Sequence, residues 1–120
     1  MANKFKKAVE AIPDIKDGFR FGVQALGGMS YLVTSSTPRL FDGSVDIDAC
    51  TKDLYPNDAR WDYVIGFNNH AYFLEILPAS TSNVRDMIKK AQWLDNWLNE
   101  KAAGLKALVA TNVFYWIASG

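Results

Sequence analysis

The stretch WDYVIGFNNHAYFLEIL, residues 61–77, predicts two β-strands joined by a tight turn. Its two arms, residues 61–67 and residues 71–77, are both rich in β-branched and aromatic side chains. Asn68-Asn69-His70 lies between them, and asparagine tolerates the left-handed backbone angles that a short hairpin turn requires. We therefore expect an antiparallel hairpin here, and the rest of the fold can be placed around it.

Each arm of this hairpin carries one acidic residue, Asp62 in the first arm and Glu75 in the second. Carboxylates are rarely buried unless they are paired or bound to a metal, and both residue types are poor strand formers. Two oxygen ligands on neighbouring strands suit a hard cation such as Mg²⁺ or Mn²⁺. We interpret both as metal ligands and expect their side chains to converge at the rim of the sheet.

Length and composition predict a single globular domain spanning residues 1–120, because 49% of the residues are hydrophobic and 22% are charged. The N-terminus lacks the apolar stretch of a signal peptide or a membrane span, so we expect no membrane association. The single cysteine, Cys50, excludes an intrachain disulfide framework and a multi-cysteine metal site. We interpret it as a half-buried structural residue, and its isolation fits a cytoplasmic location.

Charge is distributed unevenly along a chain whose net charge is zero. Residues 41–80 contain two basic and seven acidic residues, whereas both flanking thirds are net basic. An acidic middle between basic flanks suits a cation site that an anionic ligand approaches, although acidic surface loops would give the same balance. The zero net charge itself gives no argument for nucleic-acid binding.

The sequence before the hairpin predicts a short helix over residues 5–12, with Asn3 as its cap and Pro13 as its stop. Residues 14–40 show mixed spacing, with one short strand predicted at residues 32–34. Residues 44–49 alternate between apolar and polar side chains, which predicts a half-buried strand.

After the hairpin, apolar residues at helical spacing predict a long helix that ends near residue 102. Ser80, Ser82 or Asn83 could cap its first turn. The apolar run at residues 113–117 is typical of an interior strand. Because the helix can act as a crossover to a parallel strand, the element order predicts an α/β sandwich around a mixed sheet.

Asp62 on one strand, Glu75 on its partner, a following amphipathic helix and a final apolar strand resemble the core of the PD-(D/E)XK superfamily of restriction-endonuclease-like phosphodiesterases. The resemblance covers most of residues 40–118. It implies a restriction-endonuclease-like core, in which a three-strand meander, a crossover helix and a further strand form a mixed sheet flanked by helices.

In that superfamily the two acids bind a divalent metal, usually magnesium, and a lysine two positions after the second acid helps to activate the attacking water. Here Leu77 stands in place of that lysine, and Trp61 stands where a proline is common. Some members of the superfamily supply the lysine from the following helix. Lys90 lies about a quarter turn from the centre of the apolar stripe and could reach the site.

Two other lysines are weaker alternatives to Lys90. Lys89 lies about half a turn from the apolar stripe and is expected to point at water, and Lys52 lies in the loop before Asp62. All three could also be ordinary surface lysines.

Further side chains could extend this site. Asp46 and Asp48 lie on the polar face of the predicted strand at residues 44–49, and we take Asp48 as a third metal ligand; the alternative is a solvent-facing edge. Trp93 and Trp97 are four residues apart on the long helix. They could stack on single-stranded nucleic acid or form a homodimer contact, or they could pack inside the domain.

The resemblance implies a nuclease-like, nucleic-acid-associated protein, a metal-dependent phosphodiesterase in which Asp62, Glu75 and Lys90 are catalytic. The alternative within the same superfamily is a degenerate relative that acts through binding or self-association. A third class is a structural protein in which the strand carboxylates pair with Arg60 or Lys52 and no metal is bound.

Overall fold

The computed structural model describes residues 2–78, 84–110 and 114–119, which form four helices and four strands. Two 3₁₀ stretches, Gln24–Leu32 and Pro38–Leu40, precede the sheet. No helix among the described residues combines the length and the apolar character needed to cross a membrane. The elements are α1 (Lys4–Glu10), β1 (Phe41–Asp46), α2 (Ile47–Thr51), β2 (Tyr63–Phe67), β3 (His70–Pro78), α3 (Val84–Glu100), α4 (Ala103–Lys106) and β4 (Tyr115–Ser119).

The four strands form one mixed sheet in the order β1-β2-β3-β4. β2 is antiparallel to both β1 and β3, whereas β4 is parallel to β3 and pairs Trp116 with Glu75. The segment containing α3 and α4 connects these two parallel strands, as parallel pairing requires. The predicted α/β architecture, with its meander and crossover helix around a mixed sheet, is confirmed.

The central hairpin has a tight turn that is one residue shorter than predicted, because His70 begins β3. Asn68 and Asn69 have φ angles of 51° and 63°, and the flanking residues Phe67 and His70 pair across the turn. The turn is tied to neighbouring segments because the backbone N–H of Asn69 donates to Asp42 Oδ2 at 2.6 Å. Strand β2 begins at Tyr63, so Asp62 precedes the strand instead of lying inside it.

The sheet is covered by helices on one face and by the N-terminal 3₁₀ segment on the other. On the helix-covered face, Val64 and Phe73 pack with the helices in the main core. On the opposite face, Ile65 and Leu74 pack with Leu26. Strand alternation places Glu75 on the same face as Phe73, so this carboxyl points towards the helical layer. Helix residues in the main core are Phe5, Val9, Ile47, Leu94, Trp97, Leu98 and Leu105.

In the N-terminal third, the predicted helix is present but the predicted strand is not. Asn3 caps α1 as predicted, since its side chain accepts from the N–H of Lys6 at 2.9 Å. The strand predicted at residues 32–34 is wrong: Leu32 ends a 3₁₀ stretch, and the N–H of Val33 closes a turn on the carbonyl of Ser30. This segment covers one face of the sheet and does not add a strand to it.

The strand predicted at residues 44–49 is correct only as far as Asp46. There the Asp46 side chain accepts from the backbone N–H of Ala49 at 2.8 Å and caps α2, which starts at Ile47. Aspartate favours this local bond to the backbone over an extended strand, which explains the early end of β1. Asp48 therefore lies on a short helix and not on a strand.

The buried face of α3 differs from the predicted stripe in its first two turns. Val84 and Ile88 are 65% and 53% exposed, whereas Trp97 is buried. The buried residues of α3 are Leu94, Trp97 and Leu98, which all lie in the second half of the helix. The predicted capping residues Ser80, Ser82 and Asn83, and Val113 of the predicted last strand, lie outside the described residues.

Gly66→Ala is expected to destabilise the protein by about 1–3 kcal/mol. A β-carbon on Gly66 would lie 2.7 Å from both Cδ atoms of Phe5, which is itself fully buried. Gly104→Ala is the matched control, because its β-carbon would meet only the Ala8 side chain at 3.8 Å and alanine favours the helix. Urea unfolding of both variants measures the difference; equal stabilities would contradict the packing described for Phe5 over β2.

Candidate functional site

Asp62, Glu75 and Lys90 meet at the edge of the helix-covered face. The Nζ atom of Lys90 donates to Glu75 Oε2 at 2.8 Å and lies 3.9 Å from Asp62 Oδ1. One ammonium group therefore contacts both carboxyl groups, and the two carboxyls also interact directly through their side chains. The expected convergence of the side chains at positions 62 and 75 is confirmed.

Asp62 is held in place by backbone groups from two neighbouring elements. Its carbonyl accepts from the N–H groups of Ile47 and Asp48, at 2.8 Å and 3.3 Å, at the beginning of α2. Its side-chain Oδ2 accepts from the N–H of Ile76 in β3 at 3.1 Å. The second carboxylate oxygen, Oδ1, is thereby directed towards Lys90.

Glu75 is fully buried, which is unusual for a carboxyl group. Burial, followed by the neighbouring Asp62 carboxyl, raises the pKa of Glu75 to about 9, even though the Lys90 ammonium acts to lower it. Among the described residues, no hydrogen-bond donor faces Oε1. Glu75 is therefore protonated at neutral pH, and its proton can be shared with Asp62.

Lys90 reaches this site from α3, as the helical wheel predicted. Its side chain is 28% exposed, so the aliphatic stem crosses the edge of the sheet while the ammonium contacts the carboxyls. The neighbouring Lys89 and the loop residue Lys52 are both exposed. A cation from the following helix thus contacts both hairpin acids.

The predicted third ligand, Asp48, is engaged elsewhere. Its Oδ1 accepts from Arg60 Nε at 2.9 Å, and Arg60 also donates to the carbonyl of Tyr55 at 2.7 Å. Within residues 2–78, 84–110 and 114–119, no group of three or more His, Cys, Asp or Glu side chains is arranged to hold a metal ion. The expected cluster of Asp48, Asp62 and Glu75 is therefore corrected to a pair of carboxyls, because α2 directs Asp48 towards Arg60.

Asp46 also has a local role. Its side chain caps α2, and burial raises its pKa, with the neighbouring Asp48 and Asp62 carboxylates adding to that effect. Arg60, expected as a partner for the hairpin carboxyls, pairs with Asp48 instead. Acidic groups are thus concentrated around Asp62, and Lys90 is the cation that contacts the two hairpin acids.

Trp93 and Trp97 pack against the domain, which was one of the alternatives open from the sequence. The two rings are stacked, with centroids 5.7 Å apart, and Trp97 is only 3% exposed. Asp14 Oδ2 accepts from Trp97 Nε1 at 3.0 Å and from the Tyr55 hydroxyl at 2.8 Å. Trp97 therefore offers no free stacking surface, and the pair connects α3 to the N-terminal segment.

Sequence reasoning missed the role of Asp14 in this arrangement. Asp14 and Trp97 are 83 positions apart, and nothing in either local sequence indicates a shared hydrogen bond. Burial, followed by the bond to Asp14, raises the pKa of the Tyr55 hydroxyl to about 12, so this hydroxyl remains a donor. Cys50 is half-buried and burial raises its thiol pKa, as expected for a structural cysteine.

A separate cavity of about 500 Å³ lies on the opposite face of the sheet, where Phe41, Phe67 and Tyr72 are among its lining residues. None of its lining residues is an Asp, Glu, Lys, Arg or His. Comparison of the chain with family models, curated proteins and solved structures gave no match. The function is therefore inferred from the cluster of Asp62, Glu75 and Lys90.

Proposed function

We propose that this chain is a divalent-cation-dependent phosphodiesterase that acts on nucleic acid in the cytoplasm. The observation that supports it most strongly is the position of Lys90, which contacts both hairpin carboxyls and supplies the cation that Leu77 cannot. The element order, with a helix, a three-strand meander, a crossover helix and a parallel strand, is the order implied by the resemblance to restriction-endonuclease-like enzymes.

Asp62 and Glu75 are suited to hold Mg²⁺ or Mn²⁺ between them. Both are oxygen ligands, and Glu75 Oε2 and Asp62 Oδ1 already lie 2.8 Å and 3.9 Å from a single cationic atom, Lys90 Nζ. When bound, such an ion compensates charge on the phosphate and lowers the pKa of a bound water. Because burial raises the pKa of Glu75 to about 9, Glu75 must release its proton to act as a ligand, and affinity should increase with pH.

Lys90 acts on the substrate in this proposal. Its ammonium group, on a long flexible stem and 28% exposed, can donate hydrogen bonds to a phosphate oxygen or orient the attacking water. Charge develops on the phosphate oxygens as the bond to the leaving oxygen breaks, and a positioned cation stabilises that charge. A leucine at position 77 offers neither a charge nor a donor.

A second candidate is the non-catalytic relative that binds nucleic acid or a second copy of itself. Two observations favour it: Glu75 is completely buried, and position 77 is a leucine instead of a lysine. In that case Lys90 would neutralise the two hairpin acids permanently, and the cluster would be structural. The two candidates differ in whether the native protein binds a divalent cation.

A metal titration followed by a cleavage assay tests the proposal. Mg²⁺ or Mn²⁺ that binds only the native state should raise the thermal midpoint by an amount that grows with the metal concentration. Excess EDTA should remove the effect. Single- and double-stranded DNA and RNA of about 20–40 nucleotides should then be incubated with protein and Mn²⁺. Failure of both Mg²⁺ and Mn²⁺ to move the midpoint would exclude the proposed activity.

A further inference from the structure

We propose that Lys90 occupies the cation position of the resting site and competes with the divalent ion, so that this one side chain lowers metal affinity while being required for cleavage. The inference rests on the proposed function, because it assumes that Asp62 and Glu75 are the metal ligands. It assigns Lys90 two alternative partners, the hairpin carboxyls in the resting protein and the substrate phosphate during turnover.

The first argument is geometric. Lys90 Nζ lies 2.8 Å from Glu75 Oε2 and 3.9 Å from Asp62 Oδ1, so it sits between the oxygens that a bridging ion would need. A second cation at the same oxygens would lie close to the ammonium, and two like charges at such a distance repel each other. Lys90 must therefore move away from at least one carboxyl before a divalent ion can bind between the two.

The second argument concerns the freedom of Lys90 to move. Its side chain is 28% exposed, and it lies in the half of α3 whose apolar residues are themselves exposed, such as Val84 and Ile88. Glu75, by contrast, is fully buried in β3, and Asp62 is held by the N–H of Ile76. The carboxyls are fixed and the ammonium is the movable partner, because a lysine stem has four rotatable bonds.

The third argument follows from charge. While Lys90 pairs with the carboxyls, the negative charge of Asp62 offsets its positive charge, which then contributes little attraction for an incoming anion. Once Lys90 has moved away from them, its charge is no longer offset and lies at the edge of an acidic region that would otherwise repel a phosphodiester. Release of Lys90 therefore couples the occupation of the carboxyl pair to the binding of substrate.

Lys90→Met tests this inference, because methionine keeps a long unbranched stem without the charge. Isothermal titration of Mn²⁺ should give a Kd about tenfold lower for Lys90→Met than for the natural chain, within the usual range of coupling between two sites. Cleavage by the same variant should fall to background. Lys89→Met, which removes an exposed charge one position away, should change neither quantity.

Opposite changes in affinity and cleavage would support the inference, because a merely structural lysine would lower both. If Mn²⁺ binds Lys90→Met no more tightly than the natural chain, competition is overturned, while Mn²⁺-dependent cleavage by the natural chain would leave the proposed function standing. If no chain binds Mn²⁺, both proposals fail. Circular dichroism checks folding, and Lys90→Gln, which keeps a donor towards Glu75, should shift affinity in the same direction if the methionine variant is unfolded.

Discussion

Asp62→Asn is expected to reduce metal-dependent cleavage by about 10²–10³-fold and to abolish the rise of the thermal midpoint with Mn²⁺. The substitution removes one negative charge from the carboxyl pair. It should leave the fold unchanged, because an asparagine carbonyl oxygen can still accept the N–H of Ile76 that now bonds Asp62 Oδ2 at 3.1 Å. The backbone bonds from α2 to the Asp62 carbonyl are also unaffected.

Asp48→Asn is the matched control for this experiment. Asp48 is the same residue type in the same acidic region, but its carboxylate is paired with Arg60 and not with Lys90. Its replacement should change cleavage by less than about threefold and should leave the metal-dependent midpoint in place, since the Asp48 side chain is 44% exposed and contacts Arg60 instead of the hairpin acids. A large loss with Asp48→Asn and none with Asp62→Asn would show that the metal ligands had been assigned to the wrong acid.

The hairpin and the meeting of its two acids were predictable because they depend on local rules. A run of strand-forming residues around Asn68-Asn69 leaves few alternatives to a tight turn, and antiparallel pairing then places Tyr63 opposite Leu74. Asp62 and Glu75 flank that pair on neighbouring segments. Lys90 was predictable for a similar reason, because a regular helix fixes the direction of each side chain relative to the apolar stripe.

Other parts of the site depend on contacts that local sequence does not specify. The alternation through residues 44–49 predicts a strand, yet the bond from Ala49 to the Asp46 carboxylate starts a helix and directs Asp48 towards Arg60. A side chain that competes for its own backbone can end a strand without changing the hydrophobic pattern. The proposed third ligand was misplaced for this reason.

The Trp pair illustrates a long-range contact of the same kind. The sequence alone left packing, dimerisation and nucleic-acid stacking open for Trp93 and Trp97. In the structure the pair packs against the domain. Asp14 accepts from the Trp97 indole, and Asp58 Oδ2 accepts from Trp93 Nε1 at 3.1 Å. Each indole N–H thus has an acceptor from a distant segment, so the helix lies with this face against the domain.

The same burial that defines the site should also make the stability of the protein depend on pH. The pKa of Glu75 is about 9 in the folded protein, whereas a glutamate in the unfolded chain has its ordinary value near 4.5. Below pH 4.5 both states are protonated, and the contribution of Glu75 to stability is fully present. Between these two values the native state binds one more proton than the unfolded state, so the free energy of unfolding falls as pH rises.

Between about pH 5 and pH 8.5, Glu75 should therefore lower the free energy of unfolding by up to about 1.4 kcal/mol per pH unit in metal-free buffer. Glu75→Gln should remove this dependence, because glutamine stays neutral and can donate towards Asp62 as a protonated Glu75 does. The variant should resemble the natural chain near pH 5 and be more stable than it at pH 8.5. Urea unfolding across this range, with EDTA present, measures both slopes.

Glu10→Gln is the matched control for this pH series, because Glu10 is exposed on α1 and its ion pair in the described part of the chain is with Lys6 on the same helix. Its slope should match that of the natural chain. If Glu75→Gln leaves the slope unchanged, or makes stability fall more steeply with pH, then Glu75 is already ionised in the native protein. The ammonium of Lys90, 2.8 Å away, would then outweigh burial, and the resting site would hold a permanent ion pair.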